Sequence, residues 1–80
     1  MKNLHHLIVS NPNILGGEPV FKGTRVPVKI FFRHLRNGIP LEEFLDDFPT
    51  VSHEQAVALL SCLERLMTSE KLEKLYEIAA

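Results

Sequence analysis

The chain is poor in the residues that stabilise small proteins through covalent bonds or metal ions. Its 80 residues include one cysteine, Cys62, so no disulfide can form within the chain, and no metal-ligand spacing links Cys62 to the four histidines. The longest uninterrupted apolar run, Ala56 to Leu60, is far below the roughly 20 residues of a membrane-spanning helix. The apolar stretch from Leu7 to Val9 is too short for a signal peptide. We therefore expect a cytoplasmic protein with no metal, no other cofactor and no contact with a membrane.

Charge is divided unevenly between the two halves of the chain, although the formal net charge is only −1. Residues 1–40 contain six bases and one acid, for a net charge of +5, whereas residues 41–80 contain three bases and nine acids, for a net charge of −6. This division excludes a uniformly basic nucleic-acid coat and an acidic solvating tail. The short length predicts one domain with a small core. Chains of this length often depend on a partner, a metal or a second copy of themselves for stability, and we expect a homodimer.

The hydrophobic pattern predicts a mainly α-helical single domain over residues 1–80. Residues 1–27 alternate short β-prone runs with turn signals, which predicts a short N-terminal β-hairpin arm in which Gly23 adopts a positive φ. Residues 28–67 show apolar residues at helical spacing in three segments, the outline of a tri-helical helix-turn-helix core. The three apolar faces are Val28, Phe31, Phe32 and Leu35; Leu41, Phe44, Leu45 and Phe48; and Ala56, Leu59, Leu60, Leu63, Leu66 and Met67.

Residues between these segments predict where the helices begin and end. An Asn-Gly pair at 37–38 is expected to end the first helix, and Pro40 is expected to begin the second. Ser52 and Gln55 have the spacing of a capping box at the start of the third helix. Residues 68–80 predict a C-terminal helix. Because no proline or glycine separates it from the third helix, one long helix and two separate helices both remain open.

Residues 16–28 read Gly-Gly-Glu-Pro-Val-Phe-Lys-Gly-Thr-Arg-Val-Pro-Val, which resembles the hallmark segment of the domain-of-unknown-function 433 family. The resemblance continues through Asn-Gly at 37–38, Leu-Glu-Glu at 41–43 and Asp-Phe-Pro at 47–49. Members of this family are regarded as helix-turn-helix antitoxins of type II toxin–antitoxin pairs, whose partner is a PIN-like ribonuclease toxin. The resemblance therefore implies that the chain binds and neutralises such a toxin and represses its own operator by binding DNA. The alternative is a small protein-interaction or dimerisation module without DNA binding.

Five basic residues within fifteen positions, with no acid between them, form a candidate DNA-binding surface. Lys29, Arg33 and Arg36 share one face of the first predicted helix, and Lys22 and Arg25 lie just upstream. Such a group can neutralise a phosphate backbone. Solvation, or ion pairing with the acidic half of a neighbouring chain, explains the same pattern and is the interpretation we favour.

The start of the third predicted helix is where a helix-turn-helix protein reads base edges, and Ser52, His53 and Gln55 lie there. The Gln55 side-chain amide has the donor and acceptor that pair with adenine, and the His53 side chain can contact a phosphate or a base. Glu54, however, would be repelled by phosphate, and the helix carries a single Lys or Arg, Arg65, near its far end. We therefore favour a capping role for Gln55 and expect the N-terminal half to dominate any DNA contact.

The sequence Gly23-Thr24-Arg25 has two interpretations. In the functional one, Arg25 contacts a phosphate or a toxin carboxylate through its bidentate guanidinium. In the structural one, which we favour, Gly23 makes a turn, Thr24 satisfies backbone groups, and Arg25 pairs with a local acid or carbonyl.

The last predicted helix supplies candidate toxin-binding residues, because the resemblance implies that an antitoxin docks its C-terminal segment into the toxin. Packing onto the core or at a dimer interface is the alternative. Nothing in the spacing of the nucleophilic and acidic residues predicts catalysis, so we expect no enzyme, and we expect Cys62 to be a buried, unreactive thiol. The candidate toxin-binding residues are Leu72, Leu75, Tyr76 and Ile78.

Overall fold

The computed structural model describes residues 6–69, which form a short antiparallel hairpin followed by three helices, as the sequence predicts. The predicted C-terminal helix lies outside the described residues, apart from Thr68 and Ser69. The elements are β1 (Ile8–Val9), a 3₁₀ turn (Leu15–Gly17), β2 (Val20–Phe21), α1 (Val28–Arg36), α2 (Leu41–Asp47) and α3 (His53–Met67).

β2 lies between two other segments of the chain and is the centre of the N-terminal region. On one side it pairs with β1, so that Ile8 lies opposite Phe21. On the other side Val20 bridges Pro27, and the Phe21 N–H donates to the Val26 carbonyl at 3.1 Å. Both side chains of β2 are fully buried. The predicted N-terminal β-hairpin is therefore confirmed, and its second strand contributes Phe21 to the core.

The helix boundaries follow the predicted signals. α1 ends at Arg36, and Gly38 has a φ of 79°, the left-handed conformation that allows its N–H to donate to the Leu35 carbonyl. Pro40 is the N-cap of α2, and acidic residues occupy the first turn of that helix. Ser52 caps α3, where both hydrogen bonds of the predicted capping box are present.

An aromatic cluster holds the hairpin against the helices. The ring centroids of Phe31 and Phe44 lie 5.0 Å apart, and that of Phe21 lies 5.7 Å from Phe31 and 6.4 Å from Phe44. His34 packs edge-on against Phe44 and Phe48, while its Nδ1 hydrogen-bonds to the Ile30 carbonyl at 2.9 Å. Each helix, or the loop after it, thus contributes side chains to one core that also contains Phe21 of β2.

The predicted apolar faces are buried only in part. On α1, Val28 and Phe31 are buried, whereas Phe32 is 37% exposed although its ring makes an edge contact with that of Phe31. On α3, Ala56 and Leu59 are buried and the partly buried Leu63 packs against the core, whereas Leu60, Leu66 and Met67 are exposed.

A connection of irregular backbone joins β1 to β2. Within it, Leu15 adopts a φ of 50°, which is strained for a residue with a Cβ, and its side chain is 55% exposed. The Ser10 hydroxyl donates to the Gly17 carbonyl, and the Glu18 N–H donates to the Leu15 carbonyl at 3.3 Å. These bonds close the connection into a compact loop.

Candidate interaction surfaces

The turn after β2 brings two cations to the surface on a tightly bonded backbone. The Thr24 N–H donates to the Phe21 carbonyl at 3.0 Å, and Gly23, with a φ of 80°, occupies the position where a type II turn requires glycine. The buried Thr24 hydroxyl donates to the Phe21 carbonyl at 2.8 Å and accepts from the Val26 N–H at 3.0 Å. The structural roles predicted for Gly23 and Thr24 are confirmed.

The structural role predicted for Arg25 is wrong. Its side chain is exposed, and within residues 6–69 it has neither a hydrogen bond nor an ion pair. Lys22 is also exposed, but its backbone is fixed on both sides. Its N–H donates to the Leu7 carbonyl at 2.8 Å, and its carbonyl accepts from Gln55 Nε2 at 2.9 Å. We call residues 22–25 the basic turn; it presents two cations that no described acid neutralises.

The basic face of α1 is exposed as predicted, but its members differ in their surroundings. Lys29 Nζ lies 3.0 Å from a carboxylate oxygen of Glu18, an ion pair that ties the loop before β2 to α1. Such an exposed pair contributes little to stability. Arg33 and Arg36 are exposed and have no acidic partner in the part of the chain that the structure describes.

At the start of α3 the predicted DNA-reading residues have structural contacts. The Gln55 N–H donates to the Ser52 hydroxyl, and the Gln55 Oε1 accepts from the Ser52 N–H, both at 3.0 Å. The other end of the Gln55 amide donates to Lys22, so both ends of this side chain are used inside the molecule. His53 is exposed. The bond to Lys22 joins residues 33 positions apart, and no local sequence pattern could have indicated it.

α2 is strongly acidic on its exposed side. Four of its seven residues are exposed carboxylates. In helix-turn-helix complexes the helix before the recognition helix crosses the DNA backbone, and here that helix would bring four negative charges towards phosphate. The sequence contains this signal, which is the run of acids after Pro40. These residues are Glu42, Glu43, Asp46 and Asp47.

An apolar surface extends along α3 beyond the core. Val57, Leu60 and Leu66 are each between 37% and 39% exposed, Met67 is 57% exposed, and Leu63 is half-buried. Sequence reasoning placed all but Val57 on the core-facing side of the helix. Leu63 packs against the core, and Leu66 lies two turns from Leu59, on the side of α3 that bears this buried residue. We call Val57, Leu60 and Met67 the α3 apolar surface. The predicted toxin-binding residues lie outside the described residues, in the segment that follows this surface.

Other kinds of site are not found among residues 6–69. No group of three His, Cys, Asp or Glu side chains there is placed to hold a metal ion. Cys62 is a free, half-buried thiol. None of the described helices has the length and apolar composition needed to cross a membrane.

Taken together, these features define a small three-helix domain completed by an N-terminal hairpin, with separate basic, acidic and apolar surfaces. The chain belongs to the family described as "Protein of unknown function (DUF433)", whose model matches residues 8–61. That match begins in β1 and ends within α3, so it includes the basic turn and the first part of the α3 apolar surface.

One curated relative is "Uncharacterized protein y4eO" from Sinorhizobium fredii (strain NBRC 101917 / NGR234). It is 39% identical over 49 residues, which cover 61% of this chain and 22% of the relative. The chain therefore matches about a fifth of that protein's length. No solved structure matches this chain.

Proposed function

We propose that this chain is an antitoxin-like binding protein that acts in the cytoplasm, where it captures and neutralises a PIN-like ribonuclease toxin. The observation that carries the proposal is the α3 apolar surface. A small domain gains free energy by burying apolar side chains, yet here the best helical pattern in the chain leaves half of its apolar residues in contact with water.

The position of this surface suits a protein partner. Leu60 and Met67 are two helical turns apart and therefore lie on the same side of α3, and Val57 flanks them. A partner groove that covered this side would bury a row of side chains at helical spacing, which is the usual way in which an amphipathic helix is recognised. In the sequence, α3 is followed by the segment for which we predict further partner contacts.

Operator binding is the second part of the proposed activity, and the exposed cations of the basic turn and α1 support it. Such a contact would be mainly electrostatic, because Ser52 and Gln55 already bond within the molecule. The alternative function, a protein-interaction or dimerisation module without DNA binding, is favoured by the exposed carboxylates of α2.

Co-expression with the product of the neighbouring reading frame tests the capture of a toxin. We expect a stable complex with a small PIN-like protein and a loss of its ribonuclease activity. The double variant Val57→Ser/Leu60→Ser removes apolar area from the α3 surface and should weaken capture at least tenfold, whereas circular dichroism should show an intact fold.

The matched control is Leu15→Ser, since Leu15 is also an exposed leucine but lies in the loop between β1 and β2. It should bind the partner as the wild type does. Equal binding by the double variant and the wild type would contradict the role assigned to α3.

A further inference from the structure

We propose that the basic turn is a preorganised binding site for the phosphate backbone of duplex DNA, and that Gln55 is the positioning residue that holds this turn in place. On this view the first turn of α3 supports the DNA-contacting loop and does not read base edges. The inference rests on the DNA-binding part of the proposed function and names the surface and the chemistry that would carry it.

The first step concerns rigidity. A cation binds a phosphate more tightly when little freedom is lost on binding, and the basic turn is already ordered. Lys22 is bonded through its N–H to Leu7 and through its carbonyl to Gln55, while the buried Thr24 hydroxyl closes the other side of the turn. The backbone that carries both cations is thus fixed to Leu7, just before β1, to β2 and to α3.

The second step concerns charge. Glu18, the one acid among residues 6–40, is paired with Lys29, so it is not available to neutralise the basic turn. Lys22 and Arg25 are exposed and have no ion-pair partner within the described chain. Arginine also offers two parallel donors that match two phosphate oxygens. The turn therefore presents a net charge of +2 on a surface without competing carboxylates of its own.

The third step concerns the kind of partner. Between the two cations the turn contains only Gly23 and the buried Thr24, so it offers no apolar side chain and no base-reading amide. A contact made by charge alone suits a uniform polyanion better than it suits a folded protein, which the α3 apolar surface would serve. We therefore expect binding at the basic turn to be independent of base sequence.

The role of Gln55 follows from the hydrogen bonds that both ends of its side-chain amide make. Its Oε1 completes the capping box, whereas its Nε2 holds Lys22. Gln55→Glu keeps the capping acceptor but places a carboxylate oxygen against the Lys22 carbonyl, which releases the turn. Gln55→Met releases the turn without adding charge. Ser52→Ala weakens the cap of α3 and leaves the bond to Lys22 in place, so it is the matched control.

The experiment measures the binding of a short, fluorescently labelled DNA duplex of mixed sequence by the full chain across a range of salt concentrations. For the wild type we expect affinity to fall steeply with salt. Lys22→Ala/Arg25→Ala should reduce the slope of log affinity against log salt by about two, since each lost phosphate contact removes about 0.9.

Gln55→Glu and Gln55→Met should both weaken duplex binding roughly three- to tenfold, because only part of the population then holds the turn in its binding geometry. Ser52→Ala should bind DNA as the wild type does, even where its melting temperature falls as far as that of the Gln55 variants. All variants should still capture the protein partner.

Several results would overturn the inference. Unchanged duplex binding by Lys22→Ala/Arg25→Ala would remove the basic turn from the DNA surface. Equal losses in Ser52→Ala and in the Gln55 variants would show that Gln55 contributes only stability. If the wild type captures its partner but binds no duplex, DNA binding by the basic turn is refuted and the proposal of toxin capture is unaffected. Loss of partner capture without loss of DNA binding in the Lys22/Arg25 variant would assign the turn to the protein interface.

Discussion

Thr24 shows how much a single hydroxyl group does in this molecule. It is buried in the turn that the sequence Gly23-Thr24-Arg25 forms, where it donates to one backbone carbonyl and accepts from one backbone N–H. A side chain with the same shape but no hydroxyl would leave the Val26 N–H without its partner in a buried place. Removing such a bond costs more free energy than the bond itself contributes.

We therefore predict that Thr24→Val lowers the free energy of unfolding by about 1–3 kcal/mol. Thr24→Ser keeps both hydrogen bonds and should be clearly less destabilising. Urea denaturation followed by circular dichroism measures both variants. A valine variant as stable as the serine variant would mean that the hydroxyl is dispensable.

Phe44 is the second residue whose replacement should have a large effect on stability. Its ring contacts those of Phe21, Phe31, His34 and Phe48 at the centre of the core. Phe44→Ala should lower the free energy of unfolding by about 3–5 kcal/mol, a large share of the total for a domain of this size. Phe32→Ala, at a position 37% exposed, should cost much less. Thermal melts of the two variants make the comparison.

At the residue scale, the sequence predicts what depends on near neighbours. Gly23, Thr24 and the Ser52–Gln55 capping box are set by residues within three positions, and each is found as expected. The local partner predicted for Arg25 is not found within residues 6–69. The bond from Gln55 to Lys22 depends on how the hairpin packs against α3, and the composition of neither segment contains that information.

At the scale of elements, the connection between α1 and α2 depends on the backbone of Gly38. Its φ of 79° is favourable for glycine and strained for residues with a Cβ, although a Cβ placed there would meet no atom within 4 Å. The strain is therefore purely conformational.

Gly38→Ala should consequently lower the free energy of unfolding by about 1–2 kcal/mol. Gly38→Asn should be milder, because asparagine adopts this conformation more readily than alanine. Differential scanning calorimetry of the two variants tests the order. An alanine variant that melted with the wild type would contradict the assigned conformation.

The helices were predictable as elements because caps, prolines and apolar spacing all act within one or two turns. The hairpin was predictable as a hairpin but not in its position. Two short strands give no sign that the second will lie between the first and residues 26–27, and this placement is what buries Val20 and Phe21. The exposed part of α3 was missed for the same reason, since a regular apolar pattern does not state which of its residues the core buries.

At the scale of the whole molecule, the charge division found in the sequence is also a division of surfaces. The basic turn and α1 carry exposed cations, and α2 carries exposed carboxylates. Two copies in a reciprocal arrangement would bring opposite charges together, as the sequence led us to expect of a homodimer. Interactions of this kind between exposed groups are screened by salt.

We predict a dimer whose dissociation constant rises as salt is added, measured by sedimentation equilibrium at low and high ionic strength. Val57→Ser/Leu60→Ser should leave this dependence unchanged. A dimer that is insensitive to salt but broken by this double variant would instead place the contact between copies on the α3 apolar surface.

The central position of β2 also has a consequence for how the chain reaches this structure. The helices can form early from local interactions, but their shared aromatic core is incomplete until the ring of Phe21, from the N-terminal hairpin, packs against Phe31 and Phe44. Completing the core requires contacts between distant parts of the chain, such as the one between Lys22 and Gln55. Folding should therefore be a single cooperative transition, in which the amide hydrogen of Phe21 exchanges with solvent as slowly as those in the middle of α3.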